Sequence, residues 1–280
     1  MNIGLLHPGQ MGTSVAQALR RNQHQVFWLP EDRSQASAER AQQCGLVGAQ
    51  SLTHLCDQVD AIISVCPPEF AESVAESVVA QSFTGIYLDA NAISSITAQN
   101  VQALFGEHYV DGGIIGPPAL QPGTTRLYLS GPLAEEVALW FGDSALEAIP
   151  LSGLQEQAPA NAASLLKMAY AAYTKGVSAL LLDVCALADA GNVSTALQHE
   201  WQLSQPQLTQ AAERSASGTA AKAWRFVAEM REIEATFAAL GLPSQFHAGA
   251  AEVYERMAHL QDVQNVDLAA VVQALKVAQT

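Results

Sequence analysis

The chain has 280 residues, 49% of them apolar and 14% charged, which is enough for two domains and too apolar for a disordered chain. Its formal net charge of −14 repels phosphate backbones and anionic lipid, so neither nucleic acid nor membrane is an expected partner. The four cysteines (Cys44, Cys56, Cys66, Cys185) show no paired or metal-ligand spacing, and the first apolar run starts at residue 2; no metal, no leader and a reduced, cytoplasmic setting are expected.

Residues 2–6 read as a short buried strand and 7–12 as a tight glycine-bearing turn. Residues 13–21 form a helix, with Val15, Ala18 and Leu19 at helical spacing and Arg20 and Arg21 where cations suit a helix C-terminus. A second strand covers 25–29. Strand, glycine turn, helix and strand open a dinucleotide-binding fold, in which glycine lets backbone N–H groups and a helix N-terminus come up to a pyrophosphate. Gly9 and Gly12 keep the spacing of the G-x-G-x-x-G fingerprint, but its first position is His7. An ordinary strand-to-helix turn of another α/β protein is the competing reading.

Further on, helices are expected at 35–43, 69–80 and 94–104. Strands are expected at 61–65, 85–89, 109–111 and 126–130. Cys66-Pro67-Pro68 closes the strand before it, because proline cannot donate to a ladder. Residues 112–118 read as a glycine- and proline-rich loop. The alternation implies a mostly parallel sheet with helices on both faces, its ligands lying beyond the carboxyl ends of the strands, at the Gly9 turn, the Cys66-Pro67 turn, Asn91 and the 112–118 loop. Strand signals stop near residue 155. Residues 158–190 are an apolar run broken by Lys167, Lys175 and Asp183, too charged for a bilayer span, and read as a helix roughly 45 Å long. Helices at 198–214, 219–240, 246–260 and 266–278 follow. The expectation is an α/β Rossmann-type domain over residues 1–155 and an all-α domain over 156–280, joined by the long helix. The exposed apolar face of such a helix suits a homodimer paired through the helical half.

In this order and spacing the chain resembles the β-hydroxyacid dehydrogenase family, which includes 6-phosphogluconate and 3-hydroxyisobutyrate dehydrogenases, and Asp89 to Ser94, Gly112 to Pro118 and Lys222 to Phe226 resemble a bacterial 6-phosphogluconate dehydrogenase-like branch of it. The resemblance rests on residues 3–12 with Met11, His24 to Trp28, the strand and prolines at 62–68, Asp111 to Gly116 with Gly123-Thr124, Lys167 among small and apolar residues, and Lys222 followed by Gly241-Leu242-Pro243 and Tyr254. It implies a nicotinamide cofactor held by Gly9, Gln10, Met11, Gly12, Arg33, Ser34, Cys66, Pro67 and Asn91. It also implies hydride transfer on a small hydroxy acid, alcohol or carbonyl.

Lys167 matches the family's general acid/base, and a partly desolvated lysine suits that work. Tyr170, one turn on, stands where the family usually has asparagine, and either donates to substrate or fills a domain interface. The remaining pocket candidates are Ile115, Gly116, Lys222, Trp224 and His247. Arg33 favours a 2′-phosphate and hence NADP, while Glu31 and Asp32 beside it leave NAD open. Ile115 replaces the serine that many members use on a substrate carboxylate. Either the substrate lacks that group, or another residue, such as Arg126 or Arg225, holds it. Imine reduction and a non-catalytic dinucleotide sensor are the competing functions. Lys167 argues against the first, and the retained lysines 167 and 222 against the second.

Overall fold

The computed structural model describes residues 1–155, 158–261 and 263–276. They form two compact units, Met1–Met168 and Ala169–Thr280.

In the first unit the elements run β1 (Asn2–Leu6), α1 (Gln10–Arg21), β2 (Gln25–Trp28), α2 (Gln35–Gln43), β3 (Val47–Gly48), α3 (Leu52–Gln58), β4 (Ala61–Ser64) and α4 (Ala71–Val79). They continue with β5 (Ile86–Asp89), α5 (Ser95–Phe105), β6 (Tyr109–Ile115), β7 (Thr125–Ser130), α6 (Ala134–Ala138) and β8 (Leu146–Pro150). Among the described residues the sheet has eight strands in the order β3-β2-β1-β4-β5-β6-β7-β8, parallel throughout except for the antiparallel β6–β7 pair. This is the expected Rossmann-type architecture. Its central strands are short apolar runs because helices cover both faces. Ile63, Leu88 and Val110 pack with α1 and α6, while Ile62, Tyr87 and Tyr109 pack with α3, α4 and α5.

Residues 112–115 are not part of a loop, as their glycines suggest, but the second half of β6, which is buried along its length. Glycine is there for close approach: a Cβ on Gly112 would lie 2.8 Å from the Asp89 carbonyl oxygen, and one on Gly113 2.5 Å from that of Ala163. The short elements β3, α3, α6 and β8 also lack a clear sequence signal.

The long helix, α7, spans Ala162–Ala190. The two units divide inside it, not at residue 155, because its first turns are bonded to β6, as described below. By length and composition alone α7 is apolar enough to cross a membrane. In the fold Met168, Ala171, Ala179 and Leu182 are buried, and Lys175 is ion-paired with Glu229.

The second unit continues with α8 (Ser194–Ser204), α9 (Leu208–Thr219), α10 (Ala223–Ala239), α11 (Gln245–Met257) and α12 (Leu268–Lys276). The single helix expected over 198–214 is two, because Pro206 lacks an N–H and pushes Gln205 out of the helical region. Of the helix expected at 266–278, the last two residues lie outside the described residues.

Candidate functional site

The glycine turn joins β1 to α1 at the carboxyl edge of the sheet. His7 takes φ +70°, the left-handed conformation that glycine adopts without strain and histidine rarely does. Its carbonyl oxygen accepts the Gly9 N–H at 2.8 Å. A Cβ on Gly12 would lie 2.5 Å from that same oxygen, so the last glycine is required by the turn itself. Around Gly9 the space is open. Gly9 is the N-cap of α1, whose first turn has no side-chain cap and no acidic residue. Helix amides are thus left to an anion, and the residues present fit a pyrophosphate. Gln10 is exposed and Met11 half-buried on this turn.

At the end of β2, Arg33 lies half-buried and acts electrostatically on His7. Burial first, and the Arg33 guanidinium second, hold the imidazole down at about 4, so it is neutral at physiological pH. Arg33 Nε and His7 Nδ1 are both buried without a hydrogen-bond partner. A second arginine missed by sequence reasoning joins them. Arg40, on α2, donates from Nε to the Pro8 carbonyl oxygen at 3.3 Å and from Nη2 to Ser37 Oγ at 3.0 Å. It lies a little under two helical turns after Ser34, and the helical periodicity of α2 was the only signal for it. Ser34 caps α2, accepting from the Ser37 N–H at 3.3 Å.

A polar row that sequence reasoning did not anticipate crosses four adjacent strands. Register places Ser64 beside Asp89, Asp89 beside Asp111, and Asp111 opposite Ser130. Both carboxylates are fully buried. Asp89 Oδ1 accepts the Asn91 N–H at 2.9 Å, while its Oδ2 has no hydrogen-bond partner. Asn91 holds the neighbouring turn: its Oδ1 accepts the Cys66 N–H at 2.5 Å and its Nδ2 donates to Ser64 Oγ at 3.1 Å. The Cys66 thiol, pushed up to about 12 chiefly by burial, is no thiolate nucleophile; the exposed Pro67 follows it.

Desolvation pushes Asp89 up to about 7 and Asp111 up to about 6, and the neighbouring Asp111 charge adds to the effect on Asp89. Since each folded value lies above the unfolded one, the native state holds extra protons between about pH 4 and 7. The stability contributed by the protonated forms is complete below that window and lost as the pH rises through it. Asp89→Asn keeps the Oδ1 acceptor and removes a titration. We expect the wild-type melting temperature to fall between pH 5 and 8, and the variant's to fall less and to exceed the wild type's at pH 8. A wild-type melting temperature that rises over that range would contradict this.

Lys167 stands in the second turn of α7, half-buried, with Nζ donating to the Ile114 carbonyl oxygen at 2.7 Å. The helix is fixed one turn earlier. Asp111 accepts from the Ser164 N–H at 2.8 Å, from Ser164 Oγ at 2.5 Å and from Ser130 Oγ at 3.0 Å, while the Ala163 N–H donates to Ser130 Oγ at 3.0 Å. A carboxylate at first-turn amides is favoured by both hydrogen bonding and the helix dipole. A Cβ on Gly113 would lie 3.2 Å from Lys167 Cβ, so β6 brings α7 down onto itself. Ile115 is buried in β6, opposite Arg126, and Gly116 follows at φ +129°.

In the second unit Tyr170, Lys222 and Trp224 are exposed. His247 is buried, its ring 4.3 Å from that of Phe237 and 5.3 Å from that of Phe246. Burial lowers its pKa, the environment of a packed aromatic more than of an exposed ligand group. The structure thus gathers Gly9, Gly12, Arg33, Cys66, Asn91, Ile115 and Lys167 in the first unit, and Lys222, Trp224 and His247 belong to the second.

Residues 2–116 match the NAD binding domain of 6-phosphogluconate dehydrogenase, and residues 188–257 match a domain of unknown function (DUF1932). An uncharacterized 28.5 kDa protein of Methanothermus fervidus is 26% identical over 192 residues, 68% of this chain and 71% of that protein. Among solved structures, the conserved protein MTH1747, described as similar to 3-hydroxyacid dehydrogenases, aligns with a TM-score of 0.67 at 24% identity, covering 93% of this chain and 98% of its own. The Mycobacterium tuberculosis 3-hydroxyisobutyrate dehydrogenase solved with L-serine has a TM-score of 0.67 at 17% identity, covering 99% of each chain. An imine reductase from Myxococcus stipitatus shares the fold more distantly, with a TM-score of 0.54 at 16% identity, covering 98% of this chain and 99% of its own.

Proposed function

We propose that this chain is a β-hydroxyacid dehydrogenase of the 6-phosphogluconate and 3-hydroxyisobutyrate dehydrogenase-like kind and transfers a hydride between a nicotinamide dinucleotide and a small hydroxy acid, alcohol or the corresponding carbonyl. The observation that carries the reading is Lys167, fixed against β6 in the same unit as a pyrophosphate-fitting glycine turn. The cofactor, when bound, supplies the hydride acceptor or donor. Gly9, Gln10, Met11 and Gly12 offer amides to its pyrophosphate, and Asn91 and Cys66-Pro67 shape the neighbouring strand end. Lys167, as the free amine, takes the hydroxyl proton on oxidation and, as the ammonium, gives a proton to the carbonyl oxygen on reduction, while the Ile114 carbonyl holds Nζ in place. Imine reduction, the reaction of the more distant neighbour, is the second reading. A lysine suited to moving a hydroxyl proton favours the first, and a screen of matched ketones and imines separates them.

Arg33 and Arg40 beside the neutral His7 form a cationic corner suited to a 2′-phosphate, which supports NADP over NAD as the cofactor. Arg33→Ala should weaken NADPH binding by about 10- to 100-fold and NADH binding by less than about twofold, measured by nicotinamide fluorescence. Equal losses for both cofactors would assign Arg33 to the fold instead.

The protein is a homodimer through its helical unit. On α7, Tyr170, Tyr173, Val177 and Leu180 recur at three- and four-residue steps, Leu187 follows seven residues on, and all are exposed. That spacing makes a seam which a second helix of the same period packs. In the Leu180→Glu, Leu187→Glu double variant, light scattering should give the monomer mass; an unchanged dimer mass would rule the seam out.

A further inference from the structure

We propose that Arg126 seats an anionic, carboxylate-class end of the substrate, an inference that rests on Lys167 being the proton-transfer group. Strand register puts Arg126 directly opposite Ile115 across the β6–β7 pair, with Cα atoms roughly 4.5–5.5 Å apart. Alternation along β6 sets Gly113 and Ile115 on one face of the sheet, and their partners Tyr128 and Arg126 share it. That is the face α7 covers, since a Cβ on Gly113 would meet Ala163 and Lys167. The Lys167 ammonium is bonded to the Ile114 carbonyl, so a guanidinium starts one residue along the same sheet edge. This is the edge formed by the carboxyl ends of the parallel strands, where ligands of such sheets bind.

The guanidinium is not used up by the fold. Among the described residues its hydrogen bonding is one long contact, from Nη1 to the Gly123 carbonyl oxygen at 3.4 Å, and it forms no ion pair. Glu147 is its register neighbour on β8, yet no salt bridge closes between them. The planar fork of arginine matches a carboxylate through two parallel hydrogen bonds. The buried Ile115 side chain beside it offers an apolar wall and no competing donor.

The test compares 3-hydroxypropanoate with its uncharged amide, titrated by calorimetry into the protein saturated with NADP+, with turnover followed in parallel. The wild type should bind the acid about 10- to 100-fold more tightly than the amide. Arg126→Gln should bring that ratio near one without changing NADP+ affinity. Arg126→Lys should keep part of the preference, and Glu147→Gln should raise it. Arg126 is half-buried at a strand end, so these variants fold. An acid preference that survives in Arg126→Gln, or no preference in the wild type, overturns the proposal. Arg126-dependent binding of the acid without turnover would retain the anion seat and reject hydride transfer.

Discussion

Lys167→Met should lower turnover by about a thousandfold, the middle of the range for a lost general acid/base, while dissociation constants for the nicotinamide cofactor stay within about twofold. The separation follows from the structure. Lys167 is on α7 and bonds to the Ile114 carbonyl at 2.7 Å, whereas the pyrophosphate-fitting amides belong to the first turn of α1. Removing the ammonium leaves one backbone carbonyl without this donor at a half-buried position, so the variant remains folded. Lys167→Arg keeps a cation, but guanidinium does not give up its proton at physiological pH. It should therefore be nearly as inactive as the methionine variant if proton transfer is the role, and largely active if positive charge alone is. Steady-state kinetics with cofactor fluorescence titration reads both.

Asp111→Ala should lower the melting temperature by roughly 6–12 °C, from about 3 kcal/mol of lost stability in a domain of this size. The carboxylate accepts the Ser164 N–H, the Ser164 hydroxyl and the Ser130 hydroxyl, in full burial. Alanine leaves the Ser164 N–H and hydroxyl without this acceptor, while Ser130 Oγ still reaches the Ala160 carbonyl oxygen at 3.1 Å, and it removes the anchor of the first turn of α7. Since Lys167 stands one turn further along, turnover should fall by about 10- to 100-fold, with the loss in kcat more than in KM. Asp111→Asn retains one carbonyl acceptor and the side-chain volume, and should recover at least half of the melting temperature. A kinetic defect in Asp111→Ala that vanishes at low temperature, where the fold is intact, would mean that Asp111 supports the fold without positioning Lys167.

Much of this was legible in the sequence, and the parts that were not share a physical cause. The glycine turn could be read because its constraint is local: φ at residue 7 and clearance at Gly12 involve neighbours in the chain. Lys167 could be read because a charge in an apolar helix is conspicuous along one dimension. The row Ser64, Asp89, Asp111 and Ser130 could not, since it exists only once four strands are set in register. A partial signal was present: Tyr87-Leu88-Asp89 and Tyr109-Val110-Asp111 repeat one pattern in two apolar strands, and the fold stacks tyrosine beside tyrosine and aspartate beside aspartate. The second half of β6 was hidden by its glycines, whose role is close packing against Asp89 and Ala163 and not a turn. His247 was ambiguous in the sequence. A lone histidine is more often structural than a ligand group, and its ring lies buried against Phe237 and Phe246.

The central claim is that the turn from His7 to Gly12 holds a nicotinamide dinucleotide, and titration of the purified protein with NADPH and NADH, followed by nicotinamide fluorescence, tests it most directly. Saturable binding of NADPH, about 10-fold or more tighter than NADH, is the predicted result. Failure to bind either would mean that histidine at the first fingerprint position has closed the turn to pyrophosphate, and would contradict the account.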